Sequence, residues 1–210
     1  MSSQVLIRKP VAEDWQELLS LHQKSQPLHF PWVAAPLTEE QCKTYIDRCH
    51  NDDFEGLLIC QEIFNSVSLK AECQIIGIAN FSQIFYRAFK NAYLGYYVHA
   101  DFAGRGLMLA GLRLSIDYAF NPLGLHRIEA NIQPDNIRSI NLVKRLGFTK
   151  EGFSQRYLYI NGEWRDHERW ALTVENWNCN YWISKYTHPL IPTVPLLLRV
   201  ARNYDLDRAQ

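Results

Sequence analysis

The chain has 210 residues, of which 47% are hydrophobic, and its 22 basic side chains are matched by 22 acidic ones. This length suits one domain or a domain with a long tail, and the composition is that of a globular protein, which excludes fibrous and disordered classes. Because the net charge is zero, the overall balance favours neither nucleic acid nor an anionic membrane as a partner.

The cysteine, histidine and apolar patterns bound the setting of the protein. The five cysteines form no Cys-x-x-Cys pair and the seven histidines are scattered, so we expect reduced thiols and no bound metal. The N-terminus lacks the apolar run of a secretion signal. The longest apolar run, residues 190–201, is short and broken by Pro192 and Pro195, so it should not span a bilayer. A cytoplasmic location without a membrane partner is expected.

The first part of the chain is predicted to form a strand and two helices. Residues 4–8 favour a strand, and residues 12–22 show the period of an amphipathic helix. Thr38 and Gln41 match a capping box, so a second helix should run to about Cys49.

The segment between these helices, residues 26–37, contains three prolines. Because proline breaks a helix interior, we expect an ordered loop here. Phe30 and Trp32 are candidates for a wall of the substrate site, and packing of Trp32 on the core is an equal alternative.

Three strands are predicted next, at residues 55–63, 73–84 and 93–98. Their short polar links indicate an antiparallel meander. Gly77, inside the middle strand, indicates a bulge or a close approach of another backbone.

The strongest functional signal follows the third of these strands. Gly104 and Gly106 stand at the start of a helix whose apolar face is predicted from a recurrence at helical spacing, in Leu107, Ala110, Gly111, Leu114 and Tyr118. Glycines let a backbone approach a ligand, and a helix N-terminus carries partial positive charge. Together they predict an anion site, typically for phosphate. The third glycine of a dinucleotide-binding fingerprint and the Lys of a Walker A loop are missing.

The remaining elements are a strand, a helix and a hairpin. A strand at residues 125–132 completes a βαβ unit, so it should run parallel to the strand at residues 93–98. Asp135 or Asn136 can cap a helix that ends near Arg145. Asn161 and Gly162 predict a tight turn between two long strands.

The order of these motifs resembles the GNAT acyltransferase superfamily. The carrying residues are the glycine loop at 103–108, Asn136 to Ser139, and Leu146 to Phe148. Further stretches are similar to ribosomal-protein N-acetyltransferases of the RimJ and RimL type, RimJ more closely: residues 30–32, 77–82, 93–96, 125–128, 151–152 and 162–167.

The resemblance covers about residues 5–177. It implies an α/β (α+β) GNAT fold, in which a mixed, mostly antiparallel seven-stranded sheet is splayed between strands 4 and 5, with helices on both faces. Residues 1–177 would form this domain. Residues 178–210 would form a C-terminal extension with a short helix and a Pro-interrupted apolar tail.

The resemblance also implies acetyl-CoA as co-substrate. Its pyrophosphate would lie on the backbone of Ala103, Gly104, Arg105, Gly106, Leu107, Met108 and Leu109. Its pantetheine arm would follow Tyr97, Val98 and His99, and Asn136 and Ser139 would contact the arm and the sulfur. The Val98 N–H would polarise the thioester carbonyl. Asn80 and Ser82 would line the acceptor site, or form a satisfied polar pair in the core.

Departures from the family pattern qualify the catalytic roles. Ala103 and Met108 replace usual motif residues, and Met108 is expected to crowd a position for a small side chain. Arg105 would meet a CoA phosphate or stay solvated. Val143 stands where many members have a tyrosine acid, which leaves Ser139 as the candidate donor to the leaving thiolate. Leu158 stands where the RimL type has a carboxylate base.

The resemblance thus implies direct transfer of acetyl to a primary amine, foremost the N-terminal α-amine of a ribosomal protein. A missing base favours an α-amine over lysine, because the α-amine has the lower pKa. The alternatives are a small-molecule amine as acceptor, such as an antibiotic, polyamine or amino acid, or a non-catalytic acyl-CoA-binding module. No nucleic-acid partner is expected, and the protein would be a monomer or homodimer.

Overall fold

The computed structural model describes residues 4–65 and 70–177 of the chain. The strands are β1 (Val5–Arg8), β2 (Phe54–Asn65), β3 (Lys70–Phe85), β4 (Asn91–Val98), β5 (Arg127–Ile132), β6 (Thr149–Ile160) and β7 (Glu163–Thr173). The α-helices are α1 (Trp15–His29), α2 (Glu39–Arg48), α3 (Leu107–Phe120) and α4 (Ile137–Arg145), and short 3-10 turns lie at Ala12–Asp14 and Ala100–Phe102.

The strands form one sheet in the order β1-β2-β3-β4-β5-β7-β6. All neighbouring pairs are antiparallel except β4 and β5. These two run parallel and pair only from Asn91 opposite Arg127 to Tyr93 opposite Glu129, so the rest of β4 parts from β5. The predicted seven-stranded mixed sheet, with its splay between strands 4 and 5, is confirmed.

Helices cover both faces of the sheet, as predicted. Leu58 and Ile59 are consecutive residues of β2, so their side chains point to opposite faces. Leu58 packs in a buried cluster with residues of α1 and α2, among them Leu18 and Ile46. Ile59 lies against α3, where a Cβ added to Gly111 would come 2.2 Å from Ile59 Cγ2.

The prediction that prolines exclude a helix from residues 26–37 is wrong for its first part. Helix α1 continues to His29 and contains Pro27 in its last turn. Its buried residues at 18, 21, 22, 25 and 29 form one continuous face across the proline. Burial of that face therefore outweighs the hydrogen bond that Pro27 cannot make.

The predicted apolar face of α3 is correct at Gly111, which is buried, and wrong at Leu114. Leu114 is 40% exposed, whereas the buried side is centred on Leu112, Ser115 and Ile116. The close contact of Gly111 with Ile59 fixes the rotation of the helix, and apolar residues on several sides left its sequence period ambiguous. The predicted short helix after Glu175 and the tail of residues 190–201 lie outside the described residues. None of the described helices is long and apolar enough to cross a bilayer.

Candidate functional site

The last residues of β4 border the gap that β5 leaves. Val98 is paired with Gly77 of β3, and the next N–H, of His99, donates to the Ile76 carbonyl at 2.8 Å. Backbone groups of successive residues point to alternate edges of a strand, so the Val98 N–H points away from β3 and into the gap. This direction suits the predicted role of the Val98 amide.

Helix α1 holds the same end of β4 from one face. His29 Nε2 lies 3.0 Å from the Val98 carbonyl oxygen, and since a carbonyl only accepts, His29 is the donor. The Tyr97 hydroxyl lies 3.0 Å from His22 Nε2, and the Tyr97 ring is 4.9 Å from the His29 ring and 5.4 Å from the His22 ring. Ser25 Oγ accepts the Ala100 N–H at 3.0 Å. We call His22, Ser25, His29 and Tyr97 the clamp.

Both imidazoles of the clamp are neutral at pH 7. Burial lowers the pKa of His22 to about 4, and burial also lowers the pKa of His29. The Tyr97 pKa is raised, chiefly by burial. The clamp therefore fixes the strand with neutral hydrogen bonds and adds no charge to this face of the sheet.

The glycine loop leads from this strand into α3. Gly104 has φ 77° and Gly106 φ 76°, a region that only glycine adopts readily, and Gly106 is the N-cap of the helix. A Cβ added at either glycine would meet nothing within 4 Å, so the space beside the loop is open. The first N–H groups of a helix have no intrahelical acceptor. Here they come from Leu107, Met108 and Leu109, and they suit an anion.

Met108 packs beneath the start of α3, against Gly77 of β3. Its side chain is buried, and its Sδ lies 2.9 Å from the position that a Cβ on Gly77 would occupy. The absence of a side chain at Gly77 thus makes room for a long side chain on α3. The large residue fills space beneath the helix and leaves its N-terminal amides free.

The other predicted loop residues lie around the helix start. Arg105 is exposed, and its guanidinium lies 5.6 Å from the centroid of the Phe102 ring. Ala103 follows the 3-10 turn and donates its N–H to the Ala100 carbonyl. His99 Nδ1 accepts the Asp101 N–H at 3.1 Å. Both alternatives for Arg105, phosphate contact and solvation, stay open.

The start of α4 faces β4 from the other side. Asn136 caps this helix and accepts the Ser139 N–H at 3.2 Å. The Tyr96 hydroxyl lies 2.6 Å from Ser139 Oγ and 3.2 Å from the Ser139 carbonyl oxygen. Burial raises the pKa of Tyr96 to about 12. Val143, at the position of the missing tyrosine, is fully buried.

Tyr96 is the functional candidate that sequence reasoning missed. Its contact with Ser139 joins residues 43 positions apart, on a strand and on a helix that are not neighbours in the chain. The alternation along β4 was a usable signal, since it places Tyr96 and Tyr97 on opposite faces. Nothing local in the sequence tells which tyrosine meets Ser139.

The predicted acceptor residues lie on the α1 and α2 side of the sheet. The Tyr45 hydroxyl donates to Asn80 Oδ1 at 2.8 Å, so the polar partner of Asn80 is a tyrosine of α2. Ser82 and Trp32 are half-buried, and Phe30 is 64% exposed. The predicted contact roles of these four residues stay predictions.

Two further sets of contacts involve the β6–β7 hairpin and β5. Asn161 Nδ2, at the turn of the β6–β7 hairpin, donates to the Pro31 carbonyl at 3.0 Å, so the hairpin meets the loop after α1. Glu129 is held by Arg127 at 2.8 Å, and Arg127 also pairs with Glu151. Leu158 is a partly exposed apolar residue.

Among residues 4–65 and 70–177, no three His, Cys, Asp or Glu side chains gather as a metal site would need.

Comparisons with known proteins agree with this geometry. A family model described as an acetyltransferase (GNAT) domain matches residues 4–149. The chain is 46% identical over 106 residues to the ribosomal protein uS5-alanine N-acetyltransferase of Escherichia coli strain K12, a match that covers 50% of this chain and 55% of that protein. The chain thus spans about half the length of this curated relative.

Solved structures share the fold. RimJ of Mycobacterium smegmatis in complex with CoA-disulfide gives a TM-score of 0.73 at 23% identity and covers 86% of this chain and 88% of that one. The ribosomal-protein-S5-alanine acetyltransferase from Vibrio fischeri gives a TM-score of 0.69 at 24% identity and covers 85% and 100%. By the family match and by its sheet, the chain belongs to the GNAT acetyltransferase family.

Proposed function

We propose that the protein transfers the acetyl group of acetyl-CoA to the N-terminal α-amine of a protein, foremost a ribosomal protein. The observation that carries the proposal is the open glycine loop at the start of α3, next to the free edge of β4. The name of the Escherichia coli relative, which specifies a ribosomal protein and its alanine, supports the acceptor.

The residues of the site fit acetyl-CoA. The free amides of residues 107–109 and the two positive-φ glycines form a cradle for its pyrophosphate, with Arg105 as the one cationic side chain of that loop. When bound, acetyl-CoA would supply an activated acetyl thioester. The Val98 N–H would donate to the thioester oxygen, where negative charge grows during attack. Ser139 would give a proton to the leaving sulfur.

The acceptor side is suited to an amine that is already partly neutral. Leu158 cannot take a proton, Glu129 is engaged by Arg127, and both clamp imidazoles are neutral but buried. An α-amine, with a pKa of about 8, is roughly one tenth neutral at pH 7, whereas a lysine amine at about 10.4 is neutral on the order of a thousandth or less. Direct transfer between two bound substrates then needs no strong base.

The test is a CoA-release assay on three matched acceptors. The first is a peptide with a free N-terminal alanine and no lysine. The second is the same peptide with a blocked N-terminus and one lysine, and the third is a set of small amines that includes a polyamine. We expect release with the first peptide to exceed release with the second at least tenfold at pH 7, since the neutral fractions differ by about two orders of magnitude.

Other outcomes would assign another function. Faster release with a polyamine or another small amine would make the protein a small-molecule acetyltransferase. Binding of acetyl-CoA by calorimetry without turnover of any amine would make it an acyl-CoA-binding module. Faster reaction at lysine than at the α-amine would contradict the proposed substrate class.

A further inference from the structure

Ser139 is a weak acid on its own, and the structure places a second hydroxyl directly behind it. The Tyr96 oxygen lies 2.6 Å from Ser139 Oγ, the shorter of its two contacts with this serine. Tyr96 is directly opposite Ala79 on β3, a fully buried residue whose small side chain leaves room for the ring. Ser139 itself is half-buried. Tyr96 is half-buried as well, and its hydroxyl lies directly against that of the serine.

The hydrogen-bond directions allow a chain of two donors. The Ser139 N–H is taken by Asn136 Oδ1, which holds the serine at the first turn of α4. When the Tyr96 hydroxyl donates to Ser139 Oγ, the serine hydrogen is free to point into the gap. A phenol ionises within the range of protein side chains, so it is the stronger acid of the two hydroxyls.

We propose that Tyr96 supplies the proton that Ser139 passes to the leaving thiolate; this inference rests on the proposed acetyl transfer. As the carbon–sulfur bond breaks, the sulfur takes the Ser139 hydrogen and Ser139 Oγ takes the Tyr96 hydrogen. The new carbon–nitrogen bond releases one proton from the acceptor amine to solvent, and one proton returns from solvent to the Tyr96 phenolate. Tyr96 is thus a positioning and relay residue, and Ser139 is the group at the sulfur.

The experiment measures how strongly the rate depends on the leaving group. Tyr96→Phe keeps the ring and removes one oxygen. We expect it to lower the single-turnover rate constant with acetyl-CoA by about 10- to 100-fold, in the range of a lost acid catalyst. The steady-state KM should change by less than about threefold. Substituted phenyl thioacetates then serve as minimal acetyl donors. Because acidic thiols leave without a proton, the loss should shrink steadily as the thiol becomes more acidic.

Two controls separate this role from a structural one. Tyr118→Phe also removes one phenol oxygen. Tyr118 lies near the other end of α3, where its hydroxyl donates to Glu55 of β2, and this substitution should leave the kinetics unchanged. Ser139→Ala should show the same dependence on the leaving thiol. The double variant should be no slower than Ser139→Ala alone, since the two hydroxyls act in series.

The outcomes are distinct. If the wild-type protein acetylates an amine but Tyr96→Phe is equally fast, or is slowed equally with every donor, the relay is wrong and the proposed function stands. If the wild-type protein acetylates no amine, the proposed function itself fails. Unfolding curves of each variant check that a loss of rate is not a loss of folded protein.

Discussion

Tyr96 and Tyr97 are neighbours on one strand, yet they belong to two different parts of the molecule. Tyr97 is locked between two buried imidazoles of α1, and its hydroxyl has a fixed partner in His22. Tyr96 points to the opposite face, where its hydroxyl meets a half-buried serine at the edge of the gap. The same side chain thus stabilises the site in one place and is proposed to take part in chemistry in the other. The difference lies in the partner of the hydroxyl. His22 is fully buried, whereas Ser139 is half-buried and can reach a ligand in the gap.

The largest expected effect concerns the clamp and is a loss of stability in acid. The folded pKa of His22, about 4, lies below its unfolded value of 6.5, so the unfolded chain binds the proton first. The stabilisation is therefore complete above pH 6.5 and is lost as pH falls towards 4. By pH 5 the free energy of unfolding should fall by about 2 kcal/mol from this residue.

Urea unfolding at pH 7 and pH 5 measures this loss, with His22→Gln as the comparison. The groups that face the ring are the Tyr97 hydroxyl, Cys42 Sγ, His29 and the Pro36 backbone. Burial raises the pKa of the Cys42 thiol, which stays neutral. Glutamine does not titrate, so the variant should lose less stability between the two pH values. Equal losses in both proteins would place the acid sensitivity elsewhere.

The second effect compares the same chemical change on the two tyrosines. Tyr97→Phe removes the hydrogen-bond partner of the buried His22 Nε2 and should lower the free energy of unfolding by about 1–3 kcal/mol. Tyr96→Phe should cost less, because water can reach half-buried Ser139. Thermal or urea unfolding of both variants at pH 7 gives the answer. A larger destabilisation by Tyr96→Phe would contradict the distinction between the buried clamp and the half-buried contact with Ser139.

The smallest effect concerns the glycine loop at the start of α3. Gly106→Ala imposes a side chain on a left-handed residue, which costs about 1–2 kcal/mol and should tilt the amides at the start of α3. The Kd for acetyl-CoA, measured by calorimetry, should rise about tenfold.

Gly124 provides a matched control for this loop. It has φ 64°, and a Cβ there would also meet nothing within 4 Å, but it lies beyond the other end of α3. Gly124→Ala should cost similar stability with no change in Kd. If both variants weaken acetyl-CoA binding equally, the effect is one of general stability and the loop is not a specific phosphate site.

The features that were predictable from the sequence are those fixed by neighbours in the chain. Thr38 caps α2 by accepting the Gln41 N–H, and Asn161 with Gly162 turns the β6–β7 hairpin, both as predicted. Gly104 and Gly106 adopt the positive φ that their positions before a helix indicated. In each case the decisive interaction spans only a few residues, so the local sequence contains it.

What escaped prediction depends on contacts between distant segments. Pro27 sits inside α1 because a buried face on both sides of it continues the helix. Met108 looked too large for its loop because its partner, Gly77, is on another strand. Tyr96 gave no local sign of its contact with Ser139. The residue types were visible in all three cases, and only the fold shows which of them meet.

The splay of the sheet has one more consequence. Beyond Tyr93, β4 is an edge strand in the middle of a sheet, with a row of backbone donors and acceptors that no described strand satisfies. Such an edge is a template for any extended, amide-bearing chain, and strand addition is a common way to recognise one. The amides of a pantetheine arm would act there as a removable eighth strand. Cofactor loading would then complete the architecture as well as supply the reactant, so the loaded protein should be the more stable form.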